Sequence, residues 1–273
     1  MLRKTIVLSM AVCIWWSGLA GATPDFKPTA KTITEKWQKA VITVRVVIRL
    51  KQTIMGQTRD QEQKLEVGGT VIDSSGLTVT SASALDPTML FRMLSGGMGN
   101  QFRMESEVKE TTLIQADGTE VEADIVLKDS NLDMAFIQPR EASQPFEFIP
   151  LKPVGRQLQI LDSVLVVARL GKVGNRAIMA SVGDINAFVK GPRSFYVCDE
   201  SLGSAVGNLA YNEEGLPVGI FLTKQTQESV EGGAGLARRR SSDLTMTVLR
   251  PVEDLIEIAE QARTLKPAES KQQ

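Results

Sequence analysis

The sequence predicts an all-β fold, an antiparallel barrel or sandwich closed by one C-terminal helix. Three observations carry this expectation. Short apolar runs recur from Val41 to Leu222, turn-forming clusters separate them, and no long helices alternate with them. A clear amphipathic helical spacing comes only after Pro251.

The first segment stands apart from the fold. Arg3 and Lys4 precede an apolar run from Thr5 to Leu19, and Ala20, Gly21 and Ala22 place small residues where a signal peptidase cuts. The run is shorter than the ~20 residues a spanning helix needs. Residues 1–22 are therefore read as a signal peptide cleaved near Ala22, with a retained anchor as the alternative. The expected mature chain is exported, periplasmic or secreted, and has no membrane span. Losing two cations and no acid takes the formal net charge from −1 to −3, which gives no electrostatic case for nucleic acid. Cys13 leaves with the segment, so Cys198 remains alone and an intramolecular disulfide is excluded. Within "SFYVC", Cys198 is expected to be a small buried hydrophobe, an intermolecular disulfide being the functional alternative.

"TITEKWQKA" is expected as a short helix before the first strand. In "AVITVRVVIRL", Ile42, Val44, Val46, Ile48 and Leu50 alternate with Thr43, Arg45 and Arg49, the period of a half-buried strand. Further strand-like runs follow: "GGTVI", "LTVTS", "TTLIQA", "TEVEADIVL", "DMAFIQ", "DSVLVVARL", "AIMASVGDI", "SFYVC", "GNLAYN" and "LPVGIFL". Turns are marked at Asp73–Gly76, Asp117–Gly118, Gly171–Asn175 and Glu213–Gly215. Leu90–Glu107, rich in methionine and glycine, reads as a long surface loop or an adaptable binding surface. "QTQESVEGGAGLARRRSSD" reads as a second polar loop with Arg238–Arg240 at its tip, solvated or contacting an anion. From Pro251, Val252, Leu255, Ile256, Ala259 and Ala262 share a helix face, with Glu253 and Asp254 suiting the positive N-terminal end.

These pieces in this order resemble the trypsin-like serine peptidase family, most closely its HtrA/Deg branch, over roughly residues 32 to 263. "GGTVIDSSGLTVTSASAL" is similar to the segment that leads into T-N-x-H-V-V. "ADGTEVEADIVLKDSNLDMAFIQ" is similar to the segment that brings in the aspartate. "GSAVGNL" stands against G-[ND]-S-G-G-[PA]-L, and "MASVGDINAF" resembles the S-G-x-V-S strand. The resemblance implies a double six-stranded antiparallel β-barrel with a C-terminal α-helix. It implies lobes of approximately 32–150 and 151–250, a closing helix at 251–263 and a polar tail at 264–273. The peptide-binding PDZ domain usual in the branch is not expected after the closing helix.

Matched to the motifs, Ser83 occupies the histidine position, Asp133 the aspartate position and Ala205 the nucleophile position. Gly203, Ser204 and Gly207 form the oxyanion turn, in which Val206 replaces a glycine. Asp199 is a candidate for the base of a pocket that accepts basic side chains. The chain contains no histidine. A serine hydroxyl needs an adjacent base to attack a carbonyl, so neither a Ser-His-Asp nor a Cys-His site can be assembled. A serine–lysine pair of Ser204 with Lys190 or Lys224 is the formal exception, and it would need a buried, uncharged lysine.

The expected function is thus a catalytically inactive homologue that binds a peptide or protein partner, without cofactor or metal. An active endopeptidase with an atypical site and a purely structural envelope protein are the alternatives.

Overall fold

The first described element is a helix, α1 (Phe26–Trp37). It begins ahead of the Thr32 expected from sequence, because Pro28 fits a first helical turn that has no N–H to satisfy. Thr34 and Thr32 donate their hydroxyls to the carbonyls of Ala30 (2.7 Å) and Pro28 (3.3 Å), so these threonines sit within the helix. Phe26, Ala30 and Ile33 form its buried face.

The computed structural model describes residues 26–54, 56–86, 88, 102–141, 145–225 and 245–265. Its strands form two closed antiparallel barrels of six strands each. The first contains β1 (Val41–Ile54), β2 (Gln57–Val71), β3 (Thr78–Ser81), β4 (Phe102–Ile114), β5 (Glu120–Asp129) and β6 (Met134–Pro139), in the order β1-β2-β3-β6-β5-β4. The second contains β7 (Ser163–Arg169), β8 (Ile178–Val189), β9 (Phe195–Cys198), β10 (Leu209–Tyr211), β11 (Pro217–Gln225) and β12 (Thr245–Pro251). Its order, β7-β8-β9-β12-β11-β10, repeats the topology of the first. Helix α2 (Val252–Thr264) follows.

The alternation read in β1 holds. Ile42, Val44, Val46, Ile48 and Leu50 are all buried inside the first barrel, together with Leu85, Leu113 and Ile137. The second barrel encloses Val164, Val166, Ile185, Ala210, Phe221 and Leu249. A third apolar layer lies between the lobes, where Val41, Leu77, Met134 and Phe136 meet Leu165, Val167, Leu209 and Tyr211. Both helices cover that layer, α2 contributing Leu255, Ile258 and Ala259. Arg169 of β7 crosses the seam, donating to the carbonyls of Val41 (2.6 Å) and Gln38 (2.9 Å).

Three stretches differ from the sequence expectation. Residues Phe102–Glu107 of the proposed Leu90–Glu107 loop are the start of β4, and β2 begins at the polar Gln57. There β1, β2 and β4 run on as a ribbon, and the outer part of β2 is exposed on both faces, so no apolar alternation marks it. The twelfth strand, β12, has no separate sequence signal ahead of the closing helix, although Val248, Leu249 and Arg250 are all buried. Residues 1–22, 89–101 and 226–244, with Arg238–Arg240 among them, lie outside the described residues, as does the tail from Lys266.

Candidate functional site

Two of the positions singled out in the sequence, Ser83 and Asp133, meet where the first lobe touches β11 of the second. Ser83 lies in the turn after β3, and Asp133 immediately precedes β6, which pairs with β3. The backbone bond from Ala82 N–H to the Asp133 carbonyl (2.9 Å) closes that end of the pair. Asp133 has a positive φ of 61°, an uncommon conformation that aspartate tolerates better than most residues. Its side chain is buried, the residue being 5% exposed.

A buried carboxylate is costly unless donors surround it. Here three reach it. The Ser83 backbone N–H donates to Oδ1 (2.6 Å), while the Ser81 hydroxyl and the Thr223 backbone N–H both donate to Oδ2 (2.7 Å each). Ser81 has one hydroxyl proton, and Asp133 takes it. The 3.1 Å contact between the two serine oxygens therefore has Ser83 as donor and Ser81 as acceptor. Ser81 also accepts from the Ala84 N–H (3.2 Å). The result is a relay, Ser83 to Ser81 to Asp133, made of hydroxyls alone. Ser83 thus meets Asp133 through its backbone N–H, and Ser81 supplies the hydroxyl.

Ser81 and Thr223 were missed in the sequence. Ser81 had a usable signal, since it stands two residues before Ser83 at the end of an extended strand and near the same face. Thr223 acts through its backbone, which no side-chain pattern reveals.

Across the seam, Glu200–Ala205 winds as a 3₁₀ helix. Such a turn directs each N–H towards the carbonyl three residues back. The amides of Gly203 and Ala205 thus run along the turn towards Glu200 and Leu202. Ala205 is buried, Gly203 half-buried, and Ser204 and Ser201 exposed. Val206 is extended (φ −50°, ψ 131°) and has no need of a left-handed backbone. Gly207 does need one. Its φ is +86°, and a side chain there would meet the Gly68 carbonyl and the Thr80 hydroxyl at 2.7 Å. The glycine lets this turn lie directly on β2 and β3, with its N–H on the Phe221 carbonyl (2.7 Å).

Asp199 stands at the start of the same turn, and its side chain faces β8. Its carboxylate accepts from the Asp184 N–H (3.0 Å) and the Asn186 amide (2.9 Å), and these bonds hold it below the usual carboxylate range. Cys198 beside it is buried, and burial first, then the Asp199 charge, pushes its thiol up to about 12. A buried neutral thiol fits the apolar reading of Cys198.

Lys224 is exposed and places its ammonium 5.2 Å from the Phe195 ring centre. Among the described residues, no hydrogen bond joins Lys224 or Lys190 to Ser204, and no group of three potential metal ligands comes together.

The trypsin-like peptidase domain family matches residues 68–220, more than half the chain, from within β2 to within β11, a span that includes Ser83, Asp133, Asp199 and Ala205. The chain belongs to the trypsin-like peptidase family. No curated protein matches it. In a trypsin-like peptidase, hydrolysis uses a serine nucleophile, an imidazole that takes and returns its proton, an acid that orients the imidazole, and two convergent amides. The sequence reading sets Ala205, the half-buried Ser83 and Asp133 at the nucleophile, histidine and aspartate places, and the turn that carries Ala205 is 3₁₀.

Proposed function

We propose that this chain is an exported, catalytically silent trypsin-like domain of the HtrA/Deg type, whose role is to hold a peptide or protein partner. The observation that carries this reading is the lack of any histidine in 273 residues, combined with alanine at the nucleophile position. No other described group takes over as base. The Asp133 oxygens are occupied by internal donors, and the Ser83 hydroxyl proton is directed into the relay. Binding without turnover is physically ordinary, because affinity for a polypeptide and stabilisation of a transition state are separable.

The test is direct. Purified protein is assayed on unfolded protein substrates and labelled with an active-site fluorophosphonate. No turnover and no label are expected. Hydrolysis abolished by replacing one residue, Ser83, Ser201 or Ser204, overturns the proposal. A Ser83→His/Ala205→Ser variant is expected to remain inactive, because the amides of Gly203 and Ala205 still point along the turn. Losing even one oxyanion donor costs ~100- to 1,000-fold in rate.

A further inference from the structure

A second feature lies on the second lobe, at the other end of β10 from Gly207. The turn Asn212–Gly215, the start of α1 and the linker before β7 surround a cavity of about 540 Å³. That size falls within the ~300–1,000 Å³ of binding clefts. Phe26, Leu158, Leu161 and Leu216 give it an apolar lining, and Glu213 and Glu214 stand at its edge.

Its walls are fixed in advance. Trp37 of α1 donates its indole N–H to the Gly215 carbonyl (3.4 Å), and a side chain at Gly215 would meet Ile33 at 3.1 Å. Asn212 closes the turn by accepting the Leu216 N–H (2.9 Å) on its side chain. On the opposite wall, Leu161 adopts φ +73°, a strained conformation for a bulky residue. Four bonds over-determine it: Leu161 N–H to Ile185 O, Ile185 N–H to Asp162 O, Asp162 N–H to Gln159 O, and Gln159 N–H to the Asp162 carboxylate. Leu161 is thereby held 76% exposed, and Leu216 across the cavity is 45% exposed. Backbone strain that keeps an aliphatic side chain in water calls for a use.

The charge at the edge identifies the occupant. Asp162 is neutralised by Arg156 (3.0 Å). Glu213 and Glu214 are exposed, and among the described residues neither has an ion-pair partner. An apolar floor beside two uncompensated carboxylates suits a polypeptide segment with aliphatic side chains next to lysine or arginine. We infer that this cavity is a docking site for a basic, aliphatic peptide segment of a partner protein. The inference is independent of the catalytic status of the seam.

The test uses the full mature chain and two fluorescein-labelled peptides, Gly-Leu-Lys-Leu-Lys-Leu-Gly and the same peptide with glutamate for lysine. Anisotropy is expected to show saturable binding of the lysine peptide that weakens with salt, the glutamate peptide binding at least about tenfold less tightly. Glu213→Gln/Glu214→Gln and Leu161→Asn should each weaken the lysine peptide by about fivefold or more. Asn is chosen because it accepts the left-handed backbone, so the variant stays folded. Three results overturn the inference: no saturable binding, equal affinity for both peptides, or affinity unchanged in both variants. So does a concentration-dependent dimer, seen by sedimentation and dissolved by Leu161→Asn, since the occupant is then a second copy. Active-site labelling, by contrast, bears on the silent-enzyme reading alone.

Discussion

Two acidic regions of this molecule follow opposite rules. Asp133 at the seam has both oxygens occupied by Ser81, Ser83 and Thr223, and almost no exposed surface. Glu213 and Glu214, at the rim of the cavity beside α1, have no ion-pair partner among the described residues and are exposed. The difference teaches which carboxylates the fold itself satisfies and which it leaves to solvent. A carboxylate left in a protein interior must be satisfied by the fold itself, and once satisfied it has little to offer a ligand. A carboxylate in water costs little to keep unpaired, so its charge stays available. In this trypsin-like barrel, whose chain has no histidine, the seam carboxylate is tied into a structural knot.

The strongest way to break this comparison is Asp133→Ala. It strands two backbone N–H groups and the Ser81 hydroxyl in a buried site, and the expected loss is ~3 kcal/mol or more of unfolding free energy. Urea unfolding measures it. A loss near zero would mean that the knot contributes nothing and that the seam carboxylate is as free as the rim pair. Glu213→Gln/Glu214→Gln, measured the same way, should leave the unfolding midpoint where it is, since exposed charges away from specific partners matter little to stability.

Leu161→Asn gives a smaller effect of opposite sign. Relieving a bulky residue from the left-handed region should stabilise the fold by ~1 kcal/mol, while the lysine peptide binds less tightly. Gain in one assay and loss in the other would mark Leu161 as kept for contact rather than for folding. A variant that is both less stable and weaker in binding would place Leu161 in the packing of the lobe.

The barrels were legible because their cores alternate. Ile42 to Leu50 announce β1 by period alone, and the turn residues Asp73–Gly76 and Asp117–Gly118 separate the strands that follow. The ribbon of β1, β2 and β4 was not, since a run such as "QTRDQEQK" in water on both faces has no period to read. At the seam, the motif neighbours singled out Ser83 and Asp133, and the structure joins the two. The donors to Asp133 were not legible, because two of the three are backbone N–H groups placed by chain crossing, on β11 and after β3. The 3₁₀ winding of Glu200–Ala205 and the cavity beside α1 were equally silent. Each depends on segments distant in sequence, as when Gly207 meets Gly68 or Phe26 meets Leu161 around one space.

The finest distinction lies at Asp199, between the two extremes: both oxygens are used, as at Asp133, yet the group is only half-buried. Its neighbour Cys198 serves as the reporter. Burial and the Asp199 charge raise the folded thiol to about 12, against ~8.5 for a free cysteine. A raised thiol pKa means that the neutral form is favoured in the fold. Its contribution to stability is therefore complete below pH ~8.5 and is lost as pH climbs towards the folded value. Wild type should lose more stability than Cys198→Ala between pH 8.5 and 11, and Cys198 should resist a thiol reagent at pH 8 until urea is added. Asp199→Asn removes the second cause and leaves the first, so the thiol midpoint should move down slightly while remaining well above that of free cysteine. If instead it falls to the free value, Asp199 and not burial governs the thiol, and Asp199 is an electrostatically exposed group of the same kind as Glu213 and Glu214.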